Sequence, residues 1–474
     1  MLGSKPYLID LSLLTMKKHA FTDSPTAPSH SVDVFIIGGG PAGSTAGAWL
    51  SQQSRKILIC EKERFPRFHI GESLLPNGNH ILKEIGVWPQ IEAAGFVKKY
   101  GAEFTLSDHS KSVRNVFADG LIKGLEQTYQ VERARFDQIL LNHAEASGCT
   151  VRQETLVKET KRTDTGWLVY IQNINTQLIE TVETRWLIDA SGRNSFMGRF
   201  LAIPKEVIPY PGRFAVFNHF ENVPRKQSKE GGDIIVLRLE DAWFWIIPIS
   251  ETVTSIGVVA QKGARAGPQE SKADFFWKKV NESSFLSETL QNARPIDDYR
   301  IESDYCFSYQ TYGKEQTLLT GDAASFIDPV FSSGVYLALE SGLLAAKTID
   351  KTLKKTPNTI NPTLYLNYSR TMKQRIRVIR RLIESYYDNN SFEVFMSPHP
   401  RFKIPQAINS ILAGCSKPPF PVRWRFWLFE TICAIHAKHP LTPPIKWNRL
   451  FNRKDTPENH SIPSSTSKDA LEQK

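Results

Sequence analysis

Three glycines near the N-terminus have the spacing of a dinucleotide-binding turn. They form Gly38-x-Gly40-x-x-Gly43 directly after the apolar run 32–37, and a second apolar run over 57–60 leads to Glu61. In such a turn one glycine permits the tight bend, one lets a pyrophosphate approach the backbone, and one allows close helix–strand packing. An acidic residue about twenty positions later accepts hydrogen bonds from the ribose. The sequence therefore predicts a dinucleotide site formed by these four residues together with Pro41, Ala42 and Lys62.

The glycines need a strand before them and a helix after them, and the sequence predicts both. Apolar runs over 32–37 and 57–60 are typical of buried parallel strands, with a helix between them over 44–50. Alternating, aromatic-rich segments from 213 to 261 predict an antiparallel sheet. Further elements are expected in chain order at 78–91 (helix), 130–148 (helix), 168–171 (strand), 181–188 (strand) and 335–354 (helix). The predicted fold class is α/β, a Rossmann-type domain with an inserted antiparallel-sheet domain and a C-terminal helical region.

The chain is long enough for more than one domain. Its 474 residues exceed the length at which a single hydrophobic core stops growing. We expect a disordered N-terminal extension (1–30), a nucleotide-binding domain (31–350) interleaved with a substrate domain (about 100–125 and 205–315), a helical region (351–450) and a disordered tail (451–474).

Composition excludes several classes of protein. Hydrophobic residues make up 41% and charged residues 23%, and no apolar run is long enough to span a membrane. Only Lys5 precedes the apolar patch at 7–14 as a basic leader, and no clear cleavage site follows it, which argues against secretion. Five scattered cysteines without metal-ligand spacing predict neither a disulfide framework nor a metal site. A reducing, cytoplasmic location is the expectation, and nothing indicates nucleic acid binding.

The net charge of +10 is concentrated towards the C-terminus. Residues 371–450 contain thirteen Lys or Arg against four Asp or Glu. Such a region can meet an acidic partner or can be solvated helix surface. Within it, residues 422–438 begin with basic residues and cluster Trp and Phe, so this segment can either cover a pocket or make peripheral contact with a membrane.

Three short motifs lie outside the dinucleotide turn. They are Trp243-x-Trp245 followed by Pro248, the sequence Ser332-Ser333-Gly334 before a predicted helix, and the lysine pair that ends at Lys99. Taken singly, each has an ordinary explanation, namely core aromatic packing, a helix cap and a surface lysine pair. Their chemistry becomes specific only in combination.

In combination the motifs resemble those of flavin-dependent halogenases, of the branch that acts on phenols or pyrroles, within the p-hydroxybenzoate-hydroxylase-like flavoproteins. The Trp243-Phe-Trp245-Ile-Ile-Pro248 segment matches the halogenase W-x-W-x-I-P pattern, and residues 326–334 match F-x-x-P-x-x-S-x-G. Lys99 falls where the family carries its catalytic lysine. The resemblance implies a glutathione-reductase-like Rossmann fold that binds FAD, with Arg133, Asp322 and Pro329 along the cofactor.

The resemblance also implies separate roles for three groups of residues. Chloride or bromide would be oxidised to hypohalous acid by a flavin C4a-hydroperoxide, with the halide held by the backbone of Ser333 and Gly334. Trp243, Trp245 and Pro248 would keep the aromatic substrate away from the flavin. Lys99 would then pass the halogen to the ring as an ammonium donor or a transient haloamine. Tryptophan halogenases carry glutamate where this chain has Phe331, so that branch is disfavoured.

The expected partners follow from the same resemblance. Reduced FAD would come from a separate flavin reductase, because no second glycine-rich turn is evident. The substrate would be a small aromatic molecule, free or bound to an acidic carrier protein, and the enzyme a monomer or homodimer. The alternative is a flavin monooxygenase, or a reductase similar to geranylgeranyl reductase, on the same scaffold.

Overall fold

A computed structural model describes residues 30–206, 212–265, 267, 269–303, 306–355, 362–445 and 447. The predicted N-terminal extension, apart from His30, and the predicted C-terminal tail lie outside these residues. The disorder expected for both therefore stays a prediction.

Helices and strands are mixed between residues 30 and 200. In chain order they are β1 (His30–Ile37), α1 (Pro41–Gln52), β2 (Ile57–Cys60), α2 (Pro76–Glu84), α3 (Trp88–Ala93), β3 (Val97–Lys99), β4 (Gly101–Leu106), β5 (Ser112–Val116), β6 (Thr128–Gln130), α4 (Arg133–Ala146), β7 (Thr150–Arg152), β8 (Thr155–Arg162), β9 (Trp167–Asn173), β10 (Ile179–Asp189) and α5 (Phe196–Phe200). The single helix predicted over 78–91 is wrong. Gly86 has φ +85° between α2 and α3, a left-handed conformation that ends the first helix.

Strands dominate the next section of the chain. They are β11 (Lys205–Glu206), β12 (Arg213–Glu221), β13 (Ile234–Arg238), β14 (Ala242–Pro248), β15 (Val253–Gln261), then, after helices α6 (Lys272–Val280) and α7 (Ser284–Thr289), β16 (Arg294–Pro295), β17 (Arg300–Ser303), β18 (Phe307–Tyr309), β19 (Gly313–Lys314), β20 (Thr317–Leu319) and β21 (Ser325–Phe326). The described chain closes with helices α8 (Gly334–Lys355), α9 (Pro362–Tyr387), α10 (Asn389–Phe395), α11 (Ile404–Leu412) and α12 (Phe420–His436).

The first large sheet brings the ends of four strands together. Its order is β19-β20-β10-β1-β2-β7, with β1, β2, β7, β10 and β20 parallel and the β8–β9 hairpin attached to β10. In open α/β sheets, ligands bind outside the carboxyl ends of such strands. Gly38, Glu61, Ala190 and Gly321 each follow the carboxyl end of a strand here or lie within two residues of it.

The second large sheet is built from two separate parts of the chain. Its order is β16-β12-β15-β14-β13-β4-β5, with β17 beside β12, and β4 joins β13 in parallel. The antiparallel pairing of β12, β15, β14 and β13 agrees with the pattern read from 213 to 261. Strands from residues 101–116 thus share a sheet with strands from residues 213–303, and the assignment of this sheet to a substrate domain stays a prediction.

Two large hydrophobic cores hold these layers together, and a minor third cluster among the described residues contains Phe117, Leu125 and Ala413. The larger contains the inner faces of the first sheet, helices α1, α2, α4 and α8, and the C-terminal helices α9 to α12. The smaller packs the other face of the second sheet against α6 and α7. No helix in the described ranges is long and apolar enough to cross a membrane. Within those same ranges no cluster of His, Cys, Asp and Glu could hold a metal ion.

Candidate active site

The glycine-rich turn has two glycines that the packing requires and one that faces open space. A Cβ at Gly38 would lie 2.4 Å from the carbonyl oxygen of Ala190, and one at Gly43 would lie 2.0 Å from that of Gly38. At Gly40 the nearest atom to a Cβ would be Nη2 of Arg67, at an ordinary 3.6 Å. Gly40 also caps the N-terminus of α1, where free N–H groups favour anions. This is the cradle that a pyrophosphate needs.

Glu61 is anchored beside that turn. Its Oε2 accepts a hydrogen bond from the backbone N–H of Gly39 at 2.8 Å, and its Oε1 accepts one from Glu63 at 2.9 Å. The side chain is buried, whereas that of the neighbouring Lys62 is half exposed and pairs with Glu63. The carboxylate is therefore fixed at the end of β2, where a ribose can reach it.

Arg133 joins α4 to the loop that crosses the cleft. It donates from Nε and Nη2 to Asp137 at 2.8 Å each, and from Nη1 to the carbonyl of Ile70 at 2.7 Å. Burial works to raise the pKa of Asp137, but the charges of Arg133 and Arg67 hold it below its ordinary value. Arg133 stays charged at the wall of the cleft, and its position is fixed by its own helix.

Asp322 points into the cleft from the turn after β20. Burial raises the pKa of its carboxyl to about 6, against the opposing charges of Arg133 and Arg193. The carboxyl makes no hydrogen bond within the described part of the chain, so it is available to a ligand. Gly321 makes the turn with φ +54° and donates to Ser341 Oγ at 2.7 Å.

Gly38, Gly40, Glu61, Arg133 and Asp322 line one cleft with a volume of about 690 Å³, whereas Gly43 packs behind the turn and is not among the lining residues. It runs from the glycine turn, with Gly38, Gly40, Pro41, Ala42, Glu61 and Lys62, to an aromatic end with Phe217, Trp243 and Trp245. Such a volume suits a large organic ligand. The glycine cradle, the anchored carboxylate and the available Asp322 together fit FAD.

The aromatic end of the cleft is formed by one face of β14. Trp243, Trp245 and Ile247 line the cleft, while Phe244 and Ile246 face the smaller core, because side chains alternate along a strand. Pro248 has the same parity as Phe244 and is not among the cleft-lining residues. The structure thus brings the two tryptophans together, with ring centroids 6.1 Å apart, and leaves Pro248 elsewhere.

Each tryptophan is held by its indole N–H. Trp245 Nε1 donates to Ser255 Oγ at 3.1 Å, and a Cβ at Gly257 would lie 2.3 Å from its ring. Trp243 Nε1 donates to the hydroxyl of Tyr387 at 2.7 Å. Both rings are thereby fixed in orientation at the wall.

The turn before α8 is a second feature of the cleft. Pro329 to Phe331 form a short 3-10 helix capped by Asp328, whose Oδ1 accepts from Val330 N at 3.1 Å. Ser332 follows with φ +58°, and α8 begins at Gly334. Pro329, Ser332 and Gly334 line the cleft. Ser333 is buried, and its Oγ has no hydrogen-bond partner among the described residues.

Phe331 occupies a wholly aromatic environment. Its ring meets those of Phe104 and Tyr386 edge-on at 5.7 Å. The side chain is buried, so this position presents packing surface and no charge.

Lys99 ends β3 and is 1% exposed, whereas Lys98 beside it is exposed. Its Nζ donates to Ser73 Oγ at 2.8 Å and to the carbonyl of Leu74 at 2.9 Å. The ring of Phe117 lies 5.3 Å from the same nitrogen. Burial lowers the pKa of Lys99 from 10.5 to about 7, although the charge of Asp233 works against this. Ser73 lines the cleft, so the amine lies directly behind the cleft wall.

Two pairs of residues at the site were not predicted from the sequence. Tyr387, the last residue of α9, donates to Asp328 Oδ2 at 2.8 Å and so joins Trp243 to the turn before α8. Glu72 lines the cleft, contacts His219 Nε2 at 2.6 Å, and leaves Oε2 without a partner among the described residues. Neither Glu72 nor Tyr387 lies within a motif read from the sequence, so no sequence signal pointed to them.

The family profile described as "FAD binding domain" matches residues 31–379. A relative from Pseudomonas fluorescens, named 1H-pyrrole-2-carbonyl-[peptidyl-carrier protein] chlorinase, is 33% identical over 397 residues, covering 79% of this chain and 88% of the relative.

Solved structures agree with that finding. A flavoprotein/dehydrogenase from Cytophaga hutchinsonii has a TM-score of 0.78 at 29% identity, covering 86% of this chain and 99% of that one. The flavin-dependent brominase Bmp2 has a TM-score of 0.75 at 26% identity, covering 85% and 99%. Both extend over nearly the whole described chain.

Proposed function

The chain belongs to the flavin-dependent halogenases, with FAD as cofactor and a halide as co-substrate, and from this premise we propose that it halogenates a pyrrole or similar electron-rich ring carried as a thioester on a carrier protein. The family assignment supports halogenation and not the monooxygenase or reductase alternative. The carrier-bound ring is suggested by the chlorinase of Pseudomonas fluorescens, whose name specifies such a substrate.

The cofactor would be held along the cleft. Gly38, Gly40 and the N-terminus of α1 would bind its pyrophosphate, Glu61 its ribose, and Asp322 the ribityl chain or pyrophosphate. When bound and reduced, the flavin supplies the activation of oxygen that halide oxidation requires. Arg133, fixed by Asp137, would keep positive charge beside this region.

The turn before α8 would bind the halide. Backbone N–H groups at a helix N-terminus attract anions, and those of Ser333 and Gly334 lie where α8 begins. The unpartnered hydroxyl of Ser333 would add a further donor. Because this turn lines the cleft through Ser332 and Gly334, a halide bound there would face the reaction site.

The tryptophans would exclude the aromatic ring from that site. Trp243 and Trp245 close the cleft with two large, oriented rings, while chloride or bromide is small enough to enter. The substrate ring would instead meet the halogen near Lys99. Hypohalous acid formed in the cleft would reach this amine past Ser73.

Lys99 would transfer the halogen in one of two protonation states. As an ammonium it would donate a hydrogen bond to hypohalous acid. As a neutral amine it would take the halogen from hypohalous acid, with the oxygen–halogen bond broken and water released, and the resulting haloamine would give the halogen to the ring in exchange for the ring proton. The Lys99 pKa of about 7 makes both states accessible at neutral pH. The observation that carries this proposal is a fully buried amine, directly behind a cleft wall, beside an exposed lysine neighbour.

Several finer properties are proposals that follow from the family. A separate reductase would supply reduced FAD, the enzyme would be a monomer or homodimer, and it would work in the cytoplasm, in keeping with five unpaired cysteines.

The test is a product assay with FAD, a flavin reductase, NADH, oxygen and either chloride or bromide. Pyrrole-2-carbonyl on a carrier protein, free pyrrole-2-carboxylate and a phenol would be compared by mass spectrometry. Halogenation of the carrier-bound ring is expected. Halogenation of free rings alone, or hydroxylated product, would contradict the proposed substrate.

A further inference from the structure

Helix α12 has one buried face and one exposed face that carries aromatic rings and arginines together. Val422, Phe426, Phe429 and Cys433 pack inwards at helical spacing. On the other side Phe420 is 66% exposed and Trp427 is 62% exposed. Arg423 lies between them along the same face, because positions 420, 423 and 427 are neighbours on a helix surface. Exposed apolar patches rimmed by polar residues often mark interaction sites.

A neighbouring turn extends this face. Phe402 is 62% exposed, and its carbonyl accepts a hydrogen bond from Arg425 Nε at 2.6 Å. The guanidinium of Arg425 lies 4.2 Å from the ring of Trp424. We use the name aromatic–cationic patch for the surface formed by Phe402, Phe420, Arg423, Trp424, Arg425 and Trp427.

The positive charge around the patch is not neutralised. Residues 397–445 contain six Lys or Arg and a single carboxylate, that of Glu430, which is paired with Arg381 outside the segment. None of the six forms an ion pair with any carboxylate of the described chain; they are Arg401, Lys403, Lys417, Arg423, Arg425 and Lys438. Unpaired cations interleaved with aromatic rings favour an acidic protein partner.

The patch lies on the outer side of the helices that cover Lys99. Helix α12 packs on α11. In turn Asn409 of α11 donates to the carbonyl of Val116 at 3.1 Å, directly before Phe117, whose ring lies against the Lys99 amine. A partner docked on α12 therefore contacts the same helical layer that encloses the proposed site of ring halogenation.

We propose that the aromatic–cationic patch is the docking surface for an acidic carrier protein that delivers the tethered ring, an inference that rests on the proposed function. Arginine binds carboxylates through paired hydrogen bonds, and exposed Trp and Phe supply apolar anchors. A membrane is the less suitable occupant. Interfacial helices keep their cations on the polar face, whereas insertion of Phe420 and Trp427 would bury the charge of Arg423 between them.

The test compares one ring on two carriers. Kinetics are measured for pyrrole-2-carbonyl on a phosphopantetheinylated carrier protein and for the same acyl group on free pantetheine. Arg423→Glu and Trp427→Ser alter exposed side chains, and Lys158→Glu on the exposed face of β8 is the matched control for charge reversal. We expect Arg423→Glu to raise KM for the loaded carrier at least tenfold, with pantetheine kinetics within twofold of the unchanged enzyme and Lys158→Glu without effect on either.

Binding of the unloaded carrier protein is measured in parallel, so that the docking proposal and the substrate proposal are tested independently of each other. If the ring is not halogenated but Arg423→Glu still abolishes carrier binding, the docking surface stands and the proposed substrate is wrong. If carrier kinetics and binding are unchanged in Arg423→Glu and Trp427→Ser, the docking proposal is wrong. Loss of sedimentation with phosphatidylglycerol vesicles in the same variants, with carrier kinetics unchanged, would assign the patch to a membrane instead.

Discussion

Trp243 donates its indole N–H to the hydroxyl of Tyr387 at 2.7 Å, so a residue of the C-terminal helices holds a residue of the cleft wall. Tyr387 in turn donates a hydrogen bond from its hydroxyl to Asp328 Oδ2 at 2.8 Å, and Asp328 caps the turn that leads to Ser333 and Gly334. Burial raises the pKa of Tyr387 well above its ordinary value, so the phenol stays protonated and donates. One buried hydroxyl thereby joins the aromatic wall to the proposed halide turn.

The first prediction concerns that hydroxyl. Tyr387→Phe leaves the indole N–H and one Asp328 lone pair without a partner, and buried groups in that condition cost about 1–3 kcal/mol each. We expect the free energy of unfolding to fall by about 2–6 kcal/mol for the two groups together, and KM for bromide to rise several-fold at unchanged FAD content. Urea denaturation and bromide kinetics measure the two. Loss of stability with unchanged bromide KM would confine Tyr387 to packing.

The second prediction separates the two kinds of glycine in the turn. Gly43→Ala places a Cβ 2.0 Å from a backbone oxygen, so it should destabilise the protein even without FAD. Gly40→Ala meets only ordinary contacts, so it should leave the stability of the FAD-free protein intact while lowering FAD affinity more than tenfold. Thermal unfolding and FAD titration check both. If the two substitutions had equal effects on the stability of the FAD-free protein, the assignment of Gly43 to packing and of Gly40 to cofactor binding would be wrong.

The third prediction follows from the cost of burying Lys99. Its pKa is about 7 in the fold and 10.5 in the unfolded chain, so the unfolded state binds the extra proton between these values. Burial of the amine therefore lowers the free energy of unfolding by its full amount below pH 7. This loss of stability becomes smaller as the pH rises towards 10.5. Lys99→Met, of similar size, should stabilise the protein by a few kcal/mol at pH 6, since each pKa unit is worth about 1.4 kcal/mol.

The pH dependence of that gain is its control. The difference in unfolding free energy between Lys99→Met and the unchanged protein should shrink steadily from pH 7 to pH 10. A difference of constant size, or a Lys99→Met protein that is less stable at pH 6, would show that burial does not lower the pKa of the Lys99 amine.

Local motifs could be predicted from the sequence because their geometry is local. The strand, turn and helix around Gly38 and Gly43 depend on residues within thirty positions, and the structure has them as expected. The break at Gly86 was missed because apolar spacing continues across it, and only its positive φ ends the helix. Pro248 was placed with the tryptophans by motif, although strand alternation turns it to the other face.

Long-range relationships could not be predicted in that way. Lys98 and Lys99 are the same residue type at adjacent positions. Their burial differs because β3 pairs with β6 and turns only Lys99 inwards. Resemblance to the family selected Lys99, but its hydrogen bonds to Ser73 and Leu74 depend on a segment twenty-five residues away. Tyr387 is 144 residues from Trp243, so no spacing rule connects them.

The most direct test of the account uses that lysine pair, in Lys99→Ala with Lys98→Ala as the matched control. Halogenated ring is measured by mass spectrometry, together with hypohalous acid intercepted by a small free nucleophile in the same reaction. We expect Lys99→Ala to retain FAD and still form hypohalous acid, but to yield at least about a hundredfold less halogenated ring, whereas Lys98→Ala should be unaffected. Ring halogenation at the unaltered rate in Lys99→Ala would contradict it.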